Sequence, residues 1–333
     1  MRRLIQPSFL LSLLLMVVAE IVLRCTLSPM SVATFQYGYH PDSGFQEAGD
    51  GMVHLVPAPT RDFHAQIFSR ERPPGVFRIF TLGNSVEYWD AVASQILSNT
   101  YPARLGEELR RRGINAESIN LAVSGYGTRR NEVLLRKALT YQPRLIILKL
   151  DTTNEGADEI CAQRARVFNS LRPQEWVWKS YLIQTGLRVK EHWLLERTLP
   201  LPILAWTYYD RPVKKDTAKS TIALPFNEPS RHAIEECLQL AREHDVPILL
   251  ITQAYVTHDG AGRAEVTDRG LDDFAATRCG PGVTMVSLKQ LLGRLPLEEN
   301  FSDHLHLTHH GHQLVARAVA DAVQDMAQAQ SSR

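Results

Sequence analysis

Residues 77–89 read FRIFTLGNSVEYW and change character at their midpoint. Phe77, Ile79, Phe80 and Leu82 are apolar and strand-favouring, as the strand of an enclosed sheet requires. Gly83, Asn84 and Ser85 follow, small and polar, where a core strand would stop. In open α/β sheets ligands bind beyond the carboxyl ends of the strands, so this junction predicts a serine hydroxyl presented at such an end.

Working outward, the text repeats a strand-then-helix rhythm. VFRIFTL is a buried strand, and TYPARLGEELRRRG is a helix with Thr100 as its cap and Gly113 as its stop. AESINLAV is the next strand, GTRRNEVLLRKALTYQP a helix ending before Pro143, and RLIILKL a third strand apolar enough to be covered on both faces. The rhythm resumes with a helix around RHAIEECLQLAREH, a strand VPILLIT, a helix near DDFAATRC, a strand VTMVSL and a final helix HQLVARAVADAVQDM. Strands alternating with helices predict a parallel sheet with right-handed crossovers. Two stretches stand outside the pattern. Residues 26–75, rich in Pro, Gly, His and aromatics without sustained periodicity, read as an irregular lead-in. Residues at about 171–227 hold four of the chain's five tryptophans (Trp176, Trp178, Trp193 and Trp206) and read as an insertion over one edge of the sheet, with a lid over the active site as its functional version.

The chain has 333 residues and 37 basic against 36 acidic side chains, so it can bury a large core and carries no gross field. Nucleic acid is therefore not an expected partner. Cys25, Cys161, Cys237 and Cys279 are widely spaced, with neither a C-x-x-C pair nor a compact metal pattern. At the N-terminus, Arg2 and Arg3 precede an apolar run from Phe9 to Ala19 that continues after Glu20 with Ile21, Val22 and Leu23. The segment that follows, AEIVLRC, offers no small-residue cleavage site, and bulky Arg24 before Cys25 argues against a lipoprotein site. Residues 1–25 thus read as an uncleaved signal anchor rather than a cleaved signal. That orientation keeps the basic end in the cytoplasm and the rest of the chain outside the inner (cytoplasmic) membrane, in the periplasm.

Chemistry-bearing residues gather at the ends of the expected strands. Ser85 follows the first, Gly125 in AVSGYG the second, and Asn154 in DTTNE the third, while FSDHLHLTHHGH before the last helix carries Asp303 and His306 at a spacing that lets the carboxylate hold the imidazole. A serine becomes a nucleophile when a histidine removes its proton, and the histidine works best when a carboxylate fixes its tautomer. The backbone N–H groups of Ser85 and Gly125 and the side-chain amide of Asn154 would supply an oxyanion hole. Each residue also has a plainer reading. Ser85 could cap a helix, Gly125 serve a tight turn and Asn154 cap the next helix, while His306 could belong to a solvated or metal-binding cluster with His304, His309, His310 and His312.

Four blocks, LGNS, NLAVSGYGT, KLDTTNE and DHLH, occur in an order that resembles the SGNH (GDSL-like) hydrolase superfamily, as do TYPARLGEEL and INLAVSGYGTRRNEVLLRKAL its membrane-anchored bacterial members. The resemblance implies a three-layer α/β/α flavodoxin-like domain over residues 76–330. In it Ser85 would be the nucleophile, His306 the base, Asp303 its orienter, and Gly125 and Asn154 oxyanion donors. It further implies hydrolysis of acyl esters, short-chain or O-acetyl, through an acyl-serine, with no metal or organic cofactor and an acyl ester or acylated carbohydrate as substrate. O-acyl transfer to an exported polysaccharide and a degenerate glycan-binding module are the alternatives. The chain departs from the family's common pattern at Asn84, where Asp is frequent, and at Glu155, where Asp often follows the asparagine.

Overall fold

The computed structural model describes residues 7–26, 36–58, 60–89, 96–171, 180–186, 189, 226–258 and 260–331. The chain divides into two compact units, Met1–His40 with Ile160–Val213, and Pro41–Glu159 with Lys214–Arg333. In the first, α1 (Pro7–Thr26) is a helix of 20 residues with no buried side chain. Glu20, its one acidic residue, accepts hydrogen bonds from the Ser180 hydroxyl and from the backbone N–H groups of Tyr181 and Leu182. The four tryptophans of the expected insertion, and with them the lid reading, lie outside the described residues.

The second unit opens with a small antiparallel sheet of β1 (Phe45–Glu47), β2 (Met52–Leu55) and β3 (Gln66–Ser69), in a stretch whose sequence shows no sustained periodicity. Strands of three or four residues are too short for alternation to register. Val53, Leu55, Phe63 and Phe68 are buried there in the same core as the main sheet.

The chain then runs through β4 (Phe77–Leu82), α2 (Ser85–Tyr88), α3 (Tyr101–Arg111), β5 (Ala116–Asn120), α4 (Thr128–Leu139), β6 (Leu145–Leu150) and α5 (Glu155–Leu171). After the undescribed segment come α6 (Glu228–Glu243), β7 (Ile248–Thr252), a hairpin of β8 (Tyr255–His258) and β9 (Ala264–Thr267), α7 (Leu271–Ala276) and β10 (Val283–Ser287). Two short helices, α8 (Leu288–Leu292) and α9 (Leu297–Asn300), lead to the long α10 (His309–Ser331). Five strands form one parallel sheet in the order β10-β7-β6-β4-β5. Every residue of β6 and β7 is buried, as a sheet covered on both faces demands. Helix α3 packs on α10 and α4 on α6, giving the helical layers. The expected three-layer α/β/α arrangement is present, with the 2-1-3-4-5 order of flavodoxin-like folds, whose switch point here falls between β4 and β6.

Local chemistry moves some boundaries. Strand β5 stops at Asn120, short of the expected Val123, because the Asn120 side chain accepts from the N–H of Ala122 and donates to the carbonyl of Glu87. Thr100 precedes α3 as expected, but its hydroxyl donates to the Leu97 carbonyl instead of capping the helix. At the sheet edge the Gln66 side chain pairs with the backbone of Asn120: its Oε1 accepts from the Asn120 N–H at 2.9 Å and its Nε2 donates to the Asn120 carbonyl at 2.7 Å.

Candidate active site

Ser85 stands at the carboxyl end of β4, beside the switch point. The turn that presents it is held from below. Asn84 is the cap of α2: its Oδ1 accepts from the N–H of Val86 at 3.1 Å, while Glu87 Oε2 accepts from the N–H of Asn84 at 3.0 Å, a reciprocal capping box. Ser85 is therefore the first helical residue and not the cap, which leaves its hydroxyl unspent on local structure. Glu87 also pairs with Lys149 of β6 at 3.0 Å, with both side chains fully buried. A side chain at Gly83 would collide with the Glu87 carboxylate, so glycine is required at that position. Burial, and then the charge of Glu87, push the Tyr101 phenol well above its usual range.

The loop between α9 and α10 delivers the other two groups. A bridge between Phe301 and Leu307 closes it, the N–H of Ser302 donates to the His306 carbonyl, and the carbonyls of His304 and Leu305 accept from the N–H of Val256 and from Gln253 Nε2. Buried Phe301, Leu305 and Leu307 pin it to the core. Asp303 Oδ1 accepts the N–H groups of Leu305 and His306, each at 2.8 Å, and Oδ2 lies 2.7 Å from His306 Nδ1. Partial burial pushes this carboxyl up, but the His306 side chain and the two backbone donors outweigh it and hold Asp303 well below the usual carboxylate range. An ionised carboxylate only accepts, so Nδ1 carries the proton and the lone pair of Nε2 points elsewhere. It points at Ser85, with Nε2 2.8 Å from Oγ. The Trp89 ring flanks the imidazole, centroid to centroid 5.3 Å.

The structure thus brings Ser85, His306 and Asp303 together in one hydrogen-bonded chain. Gly125 and Asn154 sit on the loops after β5 and β6, the two strands that flank β4. Gly125 has φ +77°, a left-handed conformation that favours glycine. Its carbonyl accepts from Arg130 Nη2, and Arg130 is paired with Asp158 of α5, which also accepts the N–H groups of Gly127 and Arg130. Asn154 is half-buried immediately before α5, and among the described residues its side-chain amide has no hydrogen-bond partner. The other histidines diverge. His304 is exposed and His309 lies against Arg104. His312 is buried, taking the N–H of Tyr101 on Nδ1 and reaching the Trp89 carbonyl with Nε2. Among the described residues no three His, Cys, Asp or Glu side chains converge as a metal site would require.

The sequence reading named Asn84 and Glu155 only as departures from a family pattern and missed Asp151 and Lys149. Asp151 accepts four hydrogen bonds, one of them from Asn84 Nδ2. Glu155 accepts the N–H and hydroxyl of Thr128 and contacts the Ser230 hydroxyl. Burial, and then the nearby charge of Asp158, raise its carboxyl to about 7. The available signal was charge in the wrong place, with Lys149 and Asp151 at the end of an otherwise apolar strand.

No family model and no curated protein matches the chain. Solved structures do. A GDSL-like lipase from Bacteroides thetaiotaomicron aligns at 12% identity over 75% of this chain and 89% of its own, with a TM-score of 0.39. The chain is similar to GDSL-like hydrolases. A variant of an acetylxylan esterase from Geobacillus stearothermophilus aligns at 13% identity over 73% and 91%, TM-score 0.42. An α/β hydrolase from the metagenome of Lake Arreo, Spain, aligns at 15% identity over 74% and 94%, TM-score 0.42. At such identities and TM-scores the case for this chain's chemistry rests on its own geometry.

Proposed function

We propose that the chain is an SGNH-type serine ester hydrolase. The observation that carries the reading is the relay in which one imidazole bonds Ser85 Oγ at 2.8 Å and Asp303 at 2.7 Å, groups more than two hundred residues apart in sequence. In the forward step His306 Nε2 takes the hydroxyl proton as Ser85 Oγ bonds the acyl carbon, and the carbonyl electrons move to oxygen. The N–H groups of Ser85 and Gly125 and the amide of Asn154 receive that oxyanion, each donor being worth roughly 10²-fold or more. Collapse breaks the bond to the alcohol, which leaves with the proton from His306. Water then attacks the acyl-serine by the same route in reverse order, regenerating Ser85. Asp303, held ionised, stabilises the imidazolium in both halves.

The substrate class we propose is a short-chain or O-acetyl ester, including acylated carbohydrate. Helix α1, at 20 residues about 30 Å long, matches a bilayer core, and Arg2 and Arg3 ahead of it favour an inner-membrane anchor with the catalytic unit outside the cytoplasm.

The test is a mutant cycle on acyl-ester turnover. Nucleophile and base act as one unit, so Ser85→Ala and His306→Ala should each remove most activity and the double variant should be scarcely worse than either alone. A fluorophosphonate should label Ser85 in the parent and not in His306→Ala. Chelator-sensitive turnover that survives Ser85→Ala would sink the reading. Product analysis with acetylated sugars then tells whether water or a sugar hydroxyl takes the acyl group.

A further inference from the structure

The turn bearing Ser85 and the loop bearing Asn154 meet through a buried contact, in which Asn84 Nδ2 donates to Asp151 Oδ2 at 2.7 Å. Its polarity is fixed from both sides. Asn84 Oδ1 is already taken by the N–H of Val86, so the NH₂ group faces Asp151. Asp151 Oδ1 accepts from the Tyr255 hydroxyl at 2.9 Å and from the N–H and hydroxyl of Thr153, each at 2.7 Å. Asp151 is thus an acceptor on every side. Position 84 adjoins the serine, and position 151 opens the loop that ends at Asn154, so the contact sets the spacing between the attacking oxygen and the amide.

We infer that Asn84 and Asp151 are positioning residues forming a clamp of fixed polarity, and that this chain requires an amide at position 84 because a carboxylate already stands at position 151. The inference rests on the proposed role of Ser85. A carboxylate at both positions would set two like charges in hydrogen-bond contact at a site where both residues are buried, a pair that persists only by sharing a proton. Among the described residues the charged and titratable groups around the clamp are Glu87 from α2, paired with Lys149 from β6, Tyr255 from β8 with Arg269 over its ring, Tyr101 from α3 beside Glu87, and His306 through Ser85. All of them are the same in every variant below.

The experiment compares the full-length chain with Asn84→Asp, Asp151→Asn and the exchange variant that combines the two substitutions. It reads p-nitrophenyl acetate hydrolysis and melting temperature between about pH 5 and pH 9. Asn84→Asp should lose about 100-fold in kcat/KM at the alkaline end, the scale of a small misplacement of reacting groups. It should recover as pH falls and a proton bridges the two carboxylates. Its melting temperature should drop with rising pH relative to the parent, because a carboxyl whose folded pKa is raised loses its stabilisation as pH climbs through that value. In the exchange variant the amide introduced at position 151 donates to the carboxylate introduced at position 84, while the oxygen of that amide still serves Tyr255 and Thr153. Both profiles should therefore return, with kcat/KM within about tenfold of the parent. An Asn84→Asp protein with the parent's pH profiles overturns the inference. So does an exchange variant that fails to fold or does no better than Asn84→Asp. Should the parent neither label with fluorophosphonate nor cleave any ester, the proposed function fails separately, and the melting profiles still decide the clamp.

Discussion

Replacing Asn154 by alanine removes an amide that has no partner among the described residues, while the loop around it stays held by Asp151 and by Asp158, whose N–H donates to the Asn154 carbonyl. The change should therefore fall on the transition state. The expected outcome for Asn154→Ala is a drop in kcat of about 10²-fold with KM and melting temperature nearly unchanged; turnover equal to the parent's would reduce Asn154 to a helix-end residue. Residues of this kind were legible in the sequence because serine, histidine, aspartate and glycine at strand ends announce their chemistry by type. Asp151 and Lys149 were not, and Asn84 stood out only as a departure from a family pattern. Asn84 and Glu87 have the spacing of a local capping box, but nothing local encodes that Glu87 will also pair with Lys149 of β6 or that Asn84 will donate to Asp151.

Among the elements, α4, α5 and α6 are stitched by one carboxyl, Glu155, through Thr128 and Ser230. Its folded pKa of about 7 lies above the ordinary 4.5. A raised carboxyl pKa gives stability that is fully present below the unfolded value and lost as pH rises through the folded one. The parent should thus lose stability between about pH 4.5 and about pH 7, as burial makes the ionised form costly. Glu155→Gln keeps an acceptor for Thr128 and gains a donor for Ser230, so it should flatten that decline and melt higher than the parent above neutrality. A steeper decline in differential scanning measurements would refute this. The long elements were readable because β4, β6 and β7 are predominantly apolar, with Arg78 and Thr81 in β4 and Lys149 in β6 as exceptions, and α3, α4 and α6 carry one apolar face. The three short strands before β4 and the β8–β9 hairpin were not, since four residues give too few positions to tell a period of two from chance.

Over the whole molecule, the alternation of strand and helix implied a parallel sheet, yet strand order is set by which crossovers pack and cannot be read from alternation alone. The observed order brings the Ser85, Gly125 and Asn154 loops to three adjacent strand ends. The anchor reading belongs to this scale too. If α1 stays attached, the full-length chain should sediment with membranes and a C-terminal reporter should be active only outside the cytoplasm; a soluble form beginning near residue 25 would mean a cleaved signal. One last feature governs how copies of the chain treat one another. Strand β5 ends the sheet, and an open strand edge is a template on which a second polypeptide can add. The amide of Gln66 imitates a peptide group there, giving and taking one hydrogen bond at Asn120 as the next strand would. Arg110 Nη1 likewise donates to the Ala116 carbonyl, so Gln66 is expected to share in guarding this edge against self-association. Gln66→Ala should leave ester turnover intact while light scattering rises with protein concentration, and an unchanged scattering curve would mean that other features close that edge.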